Sequence, residues 1–109
     1  MLSTNGKLLV YTPRFSTYYD RAKVVGSAVA KIAQRIKMEI EVASRTRLLS
    51  VYVYYRSRDD EEIPVYSDWG KDWNEEDVSH AIKSVIFALS FHPKHSSLRA
   101  VRKELCAFS

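Results

Sequence analysis

The spacing of apolar residues changes once in this chain, and that change constrains the fold more than any other feature. From residue 18 to residue 37 the apolar residues recur at helical spacing, and directly afterwards they alternate along the chain. Helical spacing puts apolar side chains on one face of a helix, and alternation puts them on one face of a strand. The helical set is Ala22, Val25, Ala28, Val29, Ile32, Ala33 and Ile36. We therefore predict a helix over 18–37 and a strand that starts at Met38.

Four short segments have the alternation or the apolar content of strands. They are Leu8–Tyr11, Met38–Ala43, Leu49–Arg56 and Ile63–Ser67. Pro13 is expected to end the first strand, and Pro64 places the last strand at an edge of the sheet, because proline cannot donate a hydrogen bond to a neighbouring strand. The second and third strands are each predicted to have one buried and one exposed face.

Two further helices are predicted in the second half of the chain. Asn74 is a suitable N-cap, and three acidic residues follow it in the first turn, where the helix dipole favours negative charge. The apolar face of this helix contains Val78, Ala81, Ile82, Val85, Ile86 and Leu89. After Pro93, a last helix capped by Ser96 or Ser97 is expected to turn Leu98, Val101, Leu105 and Phe108 inward.

The predicted order is β-α-β-β-β-α-α, an α+β fold with a mixed four-stranded sheet and its helices mainly on one face. We expect one domain over residues 1–109, with residues 1–6 as a loose N-terminus. The first two strands should be parallel, because a helix joins them, and short turns should make the later strands alternate in direction. The carboxyl ends of strands one, two and four are then expected at one edge of the sheet.

Charge is distributed unevenly along the chain. Residues 1–58 carry eleven Lys or Arg against three acids, residues 59–79 carry nine acids against one Lys, and residues 80–109 carry five bases against one acid. The net charge of +4 therefore combines a basic body with an acidic segment. A basic body attracts phosphate, whereas an acidic segment can neutralise that attraction internally.

Topology predicts an anion site at the edge where the three carboxyl ends meet. The guanidinium groups expected there suit two-point contact with phosphate, and two tryptophans could stack on bases. The candidate contacts are Arg14, Arg21, Arg45, Arg47, Trp69 and Trp73, with Lys31 and Arg35 as electrostatic support. The structural alternative is that Asp68 and Asp72 pair with these arginines and form a surface salt-bridge network.

A second candidate surface lies on the exposed face of the third strand. Tyr52, Tyr54 and Arg56 share that face, and tyrosine is enriched at protein interfaces. RNA stacking is a weaker interpretation, because Glu39 and Glu41 are expected beside them and would repel phosphate. We interpret the three residues as a dimer face or as ordinary cross-strand packing.

No catalytic, cofactor or metal motif stands out, so we predict no catalytic residue, no cofactor and no metal. His92 and His95 have the spacing of a zinc pair, but only His80 and Cys106 could complete four ligands. A glycine-rich phosphate loop is excluded, because the glycines are only Gly6, Gly26 and Gly70. The sequence therefore favours a binding protein over an enzyme.

The leading functional prediction is a small basic protein that binds DNA or RNA through backbone phosphates. The alternatives are a homodimeric interaction module and a protein that binds a phosphorylated small molecule.

The three amide residues Asn5, Gln34 and Asn74 are few for 109 residues, which favours a thermophilic source such as an archaeon or its virus. With one cysteine, no signal peptide and no long apolar run, we expect a cytoplasmic protein without membrane contact.

Overall fold

The computed structural model describes residues 6–13, 19–45, 48, 50–57, 60–68 and 72–102. Its elements are β1 (Lys7–Pro13), α1 (Tyr19–Arg35), β2 (Glu39–Arg45), β3 (Tyr52–Arg56), β4 (Glu62–Ser67), α2 (Glu75–Leu89) and a 3₁₀ helix (Pro93–Val101). The predicted α+β class and the order of strands and helices are confirmed. The last element is helical in the 3₁₀ form rather than the α form.

The four strands form one sheet in the order β2-β1-β3-β4. β1 and β2 are parallel, and the other two pairs are antiparallel. Pro13 pairs with Arg45, while Tyr52 pairs with both Tyr11 and Ser67. The carboxyl ends of β1, β2 and β4 therefore lie at one edge, as predicted, and we call it the carboxyl edge.

The core lies between one face of the sheet and the two α-helices, which pack against each other. β1 contributes Leu8 and Val10, β3 contributes Val53 and Tyr55, and each of these side chains is at most 1% exposed. The helices contribute Val25, Ala28, Val29, Ile32 and Ile36 from α1 and Val78, Ile82 and Ile86 from α2. Each large side chain buried in this way stabilises the fold by roughly 1.5–3 kcal/mol.

The N-terminus of α2 is built as its sequence predicts. Asn74 accepts a hydrogen bond from the backbone nitrogen of Asp77 at 2.9 Å, and the Asp77 carboxylate accepts one from the backbone nitrogen of Asn74 at 3.2 Å. This reciprocal capping box satisfies two backbone N–H groups that the first helical turn leaves without partners.

Strand ends differ from the prediction by a few residues. Pro13 is the last paired residue of β1, so the strand includes the proline that we expected to follow it. β2 extends through Arg45, two residues beyond the predicted segment. β4 occupies the other edge of the sheet, as Pro64 predicts.

β2 does not have the single exposed face that its alternation predicts. Met38, just before the strand, is 6% exposed, but Ile40 is 40% and Val42 is 61% exposed. These two side chains share the helix-side face with Leu8 and Val10, their partners in β1. β2 is an edge strand, and α1 packs on β1 as well as β2, so the helix layer leaves much of this face uncovered.

Up to Val101, the described segment after α2 is not the α-helix that we predicted, although Arg102 directly after it is α-helical. It is a 3₁₀ helix interrupted at His95, whose φ of −114° and ψ of 40° are not helical. Pro93 lacks the N–H that a continuing helix requires. Leu98 and Val101 are buried as predicted, while Leu105 and Phe108 lie outside the described residues.

Within the described part of the chain, no helix has the length and apolar character to cross a membrane.

Candidate nucleic-acid interface

The carboxyl edge contains an ion pair between α1 and the end of β4. Arg21 Nε donates to Asp68 Oδ2 at 2.7 Å, and Arg21 Nη2 donates to Asp68 Oδ1 at 2.6 Å. Its third nitrogen, Nη1, donates to the carbonyl oxygen of Trp73 at 2.6 Å. All three guanidinium nitrogens of Arg21 are therefore engaged within the protein.

Asp68 is the buried partner of this pair. Its side chain is 1% exposed, against 24% for Arg21. The Tyr66 hydroxyl donates to Asp68 Oδ1 at 2.5 Å. Burial, and then this bond to a carboxylate, raise the pKa of Tyr66, while the hydrogen bonds to Asp68 raise the pKa of Arg21. A buried carboxylate needs such partners, because an unpaired charge in the interior is costly.

For Arg21 the structure shows the salt-bridge alternative that the sequence left open, with Asp68 as the partner. Trp73 is 38% exposed, and its ring centroid lies 6.3 Å from that of Tyr66 at an interplanar angle of 36°. Of the other candidates for this edge, Arg14, Arg47 and Trp69 lie outside the described residues. The topological argument thus placed Arg21 correctly beside the end of β4, where an aspartate engages it.

The sheet face opposite the helices carries the predicted tyrosines. We call this surface the open face, and its paired rows contain Lys7, Leu9 and Tyr11 of β1, Glu39, Glu41 and Arg45 of β2, and Tyr52, Tyr54 and Arg56 of β3. The Tyr11 and Tyr54 rings meet edge to face with centroids 5.4 Å apart. The Arg45 guanidinium carbon lies 5.0 Å from the centroid of the Tyr11 ring, in cation–π range.

Glutamates engage several groups on the open face. Glu62 accepts hydrogen bonds from the Tyr11 hydroxyl at 2.8 Å and from Arg56 Nη2 at 3.0 Å. These bonds lower the pKa of Glu62, the one from Tyr11 having the larger effect. Lys7 lies 3.6 Å from Glu41. A polyanion on this face would compete with carboxylates for Arg56 and Lys7.

Lys31 of α1 is engaged by the neighbouring helix. Its ammonium group and the Ser27 hydroxyl both contact the carboxylate of Glu75, which lies in the first turn of α2. The contact with Lys31, and then that with Ser27, lower the pKa of Glu75. The Lys31 side chain is nevertheless 61% exposed, and an ion pair as exposed as this one contributes little to stability.

The outer surface of α1 carries a group of exposed bases. Residues 21–38 contain five Lys or Arg and no acid. Four of these bases are exposed: Lys23, Lys31 and Arg35 of α1, and Lys37 in the turn that follows it. We call these four residues the basic face. Sequence reasoning gave Lys31 and Arg35 only a supporting role, although the acid-free stretch between Asp20 and Glu39 was a visible signal.

The histidine pair is close but has no third ligand in the described part of the chain. The rings of His92 and His95 have centroids 5.4 Å apart, and His95 also meets Tyr55 edge to face. No cluster of three His, Cys, Asp or Glu side chains suited to a metal occurs among the described residues. Cys106 lies outside them.

Comparison with known proteins adds no family to this geometry. No protein-family model matches the chain, and neither curated proteins nor solved structures include one with significant similarity to it.

Proposed function

We propose that this protein binds nucleic acid through backbone phosphates, without catalysis, and that the basic face of α1 is the principal contact. The observation that carries the proposal is a group of four exposed bases, three on α1 and Lys37 directly after it, in a stretch of sequence from 21 to 38 that contains no acid. The carboxyl edge is the weaker contact, because Asp68 and Trp73 engage every nitrogen of Arg21.

Helix geometry favours the basic face as a track for phosphates. Lys23 and Lys31 are eight residues apart, which is about 12 Å along the helix axis. Successive phosphates of one strand repeat at about 3.4 Å along duplex DNA, so such a helix can contact several of them. Lysine acts as a point charge here, which supports affinity for the backbone rather than sequence readout.

Other candidates would extend this contact. Arg45 lies at the carboxyl edge, and Arg14 and Arg47 precede α1 and follow β2 along the chain. Trp73 is exposed enough to stack on an unpaired base. These residues stay in the proposal as secondary contacts.

A thermophilic archaeal or viral source and a cytoplasmic location also stay proposals, supported by the scarcity of amide residues and the single cysteine.

Fluorescence anisotropy with labelled duplex DNA and single-stranded RNA tests the proposal. We expect binding that weakens steeply as salt rises, because phosphate contacts release counterions. Replacing Lys23 and Lys37 by Gln should weaken binding to every sequence alike and reduce the salt slope by about 1.8 on duplex DNA, or about 0.9 for each lost contact.

Arg99→Gln is the matched control, since Arg99 is an exposed base on the 3₁₀ helix. It should leave affinity nearly unchanged. Absence of binding at low salt, or equal losses in the control and the helix variant, would contradict the proposal.

A homodimeric interaction module is the second candidate function, and the exposure of Ile40 and Val42 favours it. The tyrosine face supports it less, because Tyr52 and Tyr54 are only partly exposed and Tyr54 packs on Tyr11. A phosphorylated small molecule at the carboxyl edge is the least supported alternative, since Arg21 already holds a carboxylate there.

A further inference from the structure

We propose that two copies of this chain pair through β2 in antiparallel fashion, with Val42 on the two-fold axis, so that two sheets join into one. This inference goes beyond nucleic-acid binding and does not depend on it. It rests on the open edge of β2, on its charges and on the adjoining flank of α1.

β2 offers a strand edge that the described residues do not cover. In the described sheet it is the outermost strand on its side, and its strand partner is β1. Backbone N–H and C=O groups on such an edge are a template for pairing with another strand. Beside that edge, Ile40 and Val42 are 40% and 61% exposed on the face that elsewhere forms the core.

The order of charges in β2 matches an antiparallel copy of itself. With Val42 opposite Val42 of a second copy, Glu39 lies opposite Arg45 of that copy, and Arg45 lies opposite its Glu39. Opposed residues in an antiparallel pair share a face, and opposite charges there are stabilising. The two charge pairs lie on the open face, the two Val42 side chains meet on the helix-side face, and all seven residues of the strand take part.

Neighbouring registers fit less well. Centring the pair on Glu41 would place two glutamates directly opposite each other, which is destabilising. Centring it on Ala43 pairs Glu41 with Arg45 but uses only residues 41–45 of the strand, and the partner of Glu39 would be Arg47, which lies outside the described residues. The Val42 register uses the whole strand and opposes no like charges.

The flank of α1 above this edge is made of small residues. Arg21 and Lys31 face α2 and the end of β4, so the opposite flank of α1 faces the β2 edge. Ala22, Gly26, Ala30 and Ala33 follow that flank at helical spacing. A Cβ added to Gly26 would meet no heavy atom of the described chain within 4 Å. Two such flanks can approach closely above a joined sheet.

Gly26 and its neighbours lie at the same level along the sheet as the proposed two-fold axis. Val42 lies about 13 Å along β2 from Met38, and about nine residues of helix span that distance, which puts residues 26 and 27 near the level of Val42. The two-fold axis would therefore pass between two copies of Gly26. Ile40 and Val42 of both copies would be covered, and the basic faces would lie side by side.

Sedimentation or light scattering across a wide micromolar concentration range tests the dimer without any nucleic acid. We expect a reversible dimer that Val42→Lys converts to a monomer, because two ammonium groups would meet on the axis. Glu39→Arg and Arg45→Glu should each raise the dissociation constant by about tenfold, and the double exchange should restore it, since it recreates both pairs.

Cysteine cross-linking in a Cys106→Ser background fixes the register. Opposed residues have Cα atoms about 4.5–5.5 Å apart, within reach of a disulfide, so Val42→Cys should cross-link on oxidation. Ser44→Cys, on the same face of the same strand, is the control, since the two copies would be about 13 Å apart along the strands. A monomer at all concentrations, a dimer insensitive to Val42→Lys, or preferential cross-linking at Ser44 would overturn the proposal.

Discussion

Arg21 of α1 and Asp68 at the end of β4 form a two-point ion pair with nitrogen–oxygen distances of 2.7 and 2.6 Å, although 47 residues separate them in the chain. The pair joins α1 to the carboxyl edge, and Asp68 is its buried partner. The contact therefore compensates the buried charge of Asp68, at the position where we had expected a phosphate.

Replacing Arg21 by Gln should destabilise the protein by about 3 kcal/mol, because the variant leaves the Asp68 charge buried without its cation. The measurement is the free energy of unfolding from urea denaturation at neutral pH. Lys31→Gln is the matched control, since it removes a cation from an exposed pair and should cost much less than Arg21→Gln. Equal costs for the two variants would show that the Arg21 pair is no stronger than a surface contact.

Alkaline pH should weaken the fold through Tyr66. Burial and the bond to Asp68 raise the pKa of Tyr66 above its ordinary value of 10.0, so the folded state holds the phenolic proton more tightly than the unfolded state does. Its contribution to stability is present below that ordinary value and is lost as pH rises from there towards the folded pKa. Ultraviolet titration of tyrosine should show a late-ionising group that disappears in Tyr66→Phe. A titration curve identical for the two proteins would contradict this assignment.

Acid should weaken the fold through Glu62. Hydrogen bonds from Tyr11 and Arg56 lower the pKa of Glu62 below its ordinary value of 4.5. Its contribution is therefore present above that value and is lost as pH falls through the lower folded pKa. We expect Glu62→Gln to lower the melting temperature at neutral pH and to flatten its decline in acid. Glu76→Gln, at an exposed position of α2, should leave the shape of the profile unchanged.

Arg102 should be replaceable by neither Lys nor Ala without loss of stability. Its Nε donates to Ser90 Oγ at 2.9 Å, its Nη2 donates to the Ser90 carbonyl oxygen at 2.7 Å, and its guanidinium carbon lies 3.7 Å from the centroid of the Phe91 ring. An ammonium group cannot reproduce this planar, two-point contact, so Arg102→Lys should cost about 1–2 kcal/mol. Thermal unfolding beside Arg99→Lys, an exposed control, measures the difference, and equal melting temperatures would contradict it.

The sequence predicted the elements whose signals are local. The N-cap at Asn74 and the apolar spacing of α2 are short-range patterns, and the structure confirms both, while the reciprocal bond to Asp77 is an addition of the structure. The meeting of Arg21 with the end of β4 was also predictable, because it follows from the crossover rule and the direction of short turns.

Contacts that depend on exact placement were not predictable. Ile40 and Val42 alternate as a buried face would, yet their exposure depends on how far α1 extends over β2. The partner of Arg21 could be read as phosphate or as carboxylate, since both offer paired oxygens to a guanidinium. The 3₁₀ geometry after Pro93 likewise depends on packing around His95 rather than on apolar spacing.

The two edge strands of the sheet differ in how readily each could pair with a further strand. Pro64 lies in β4, and proline in a border strand restricts further strand addition on that side. β2 has no proline over its seven residues. A subunit that accepts a neighbour on one side only, related by a two-fold axis, completes its assembly at two members. Such a molecule can join sheets without growing into a fibre.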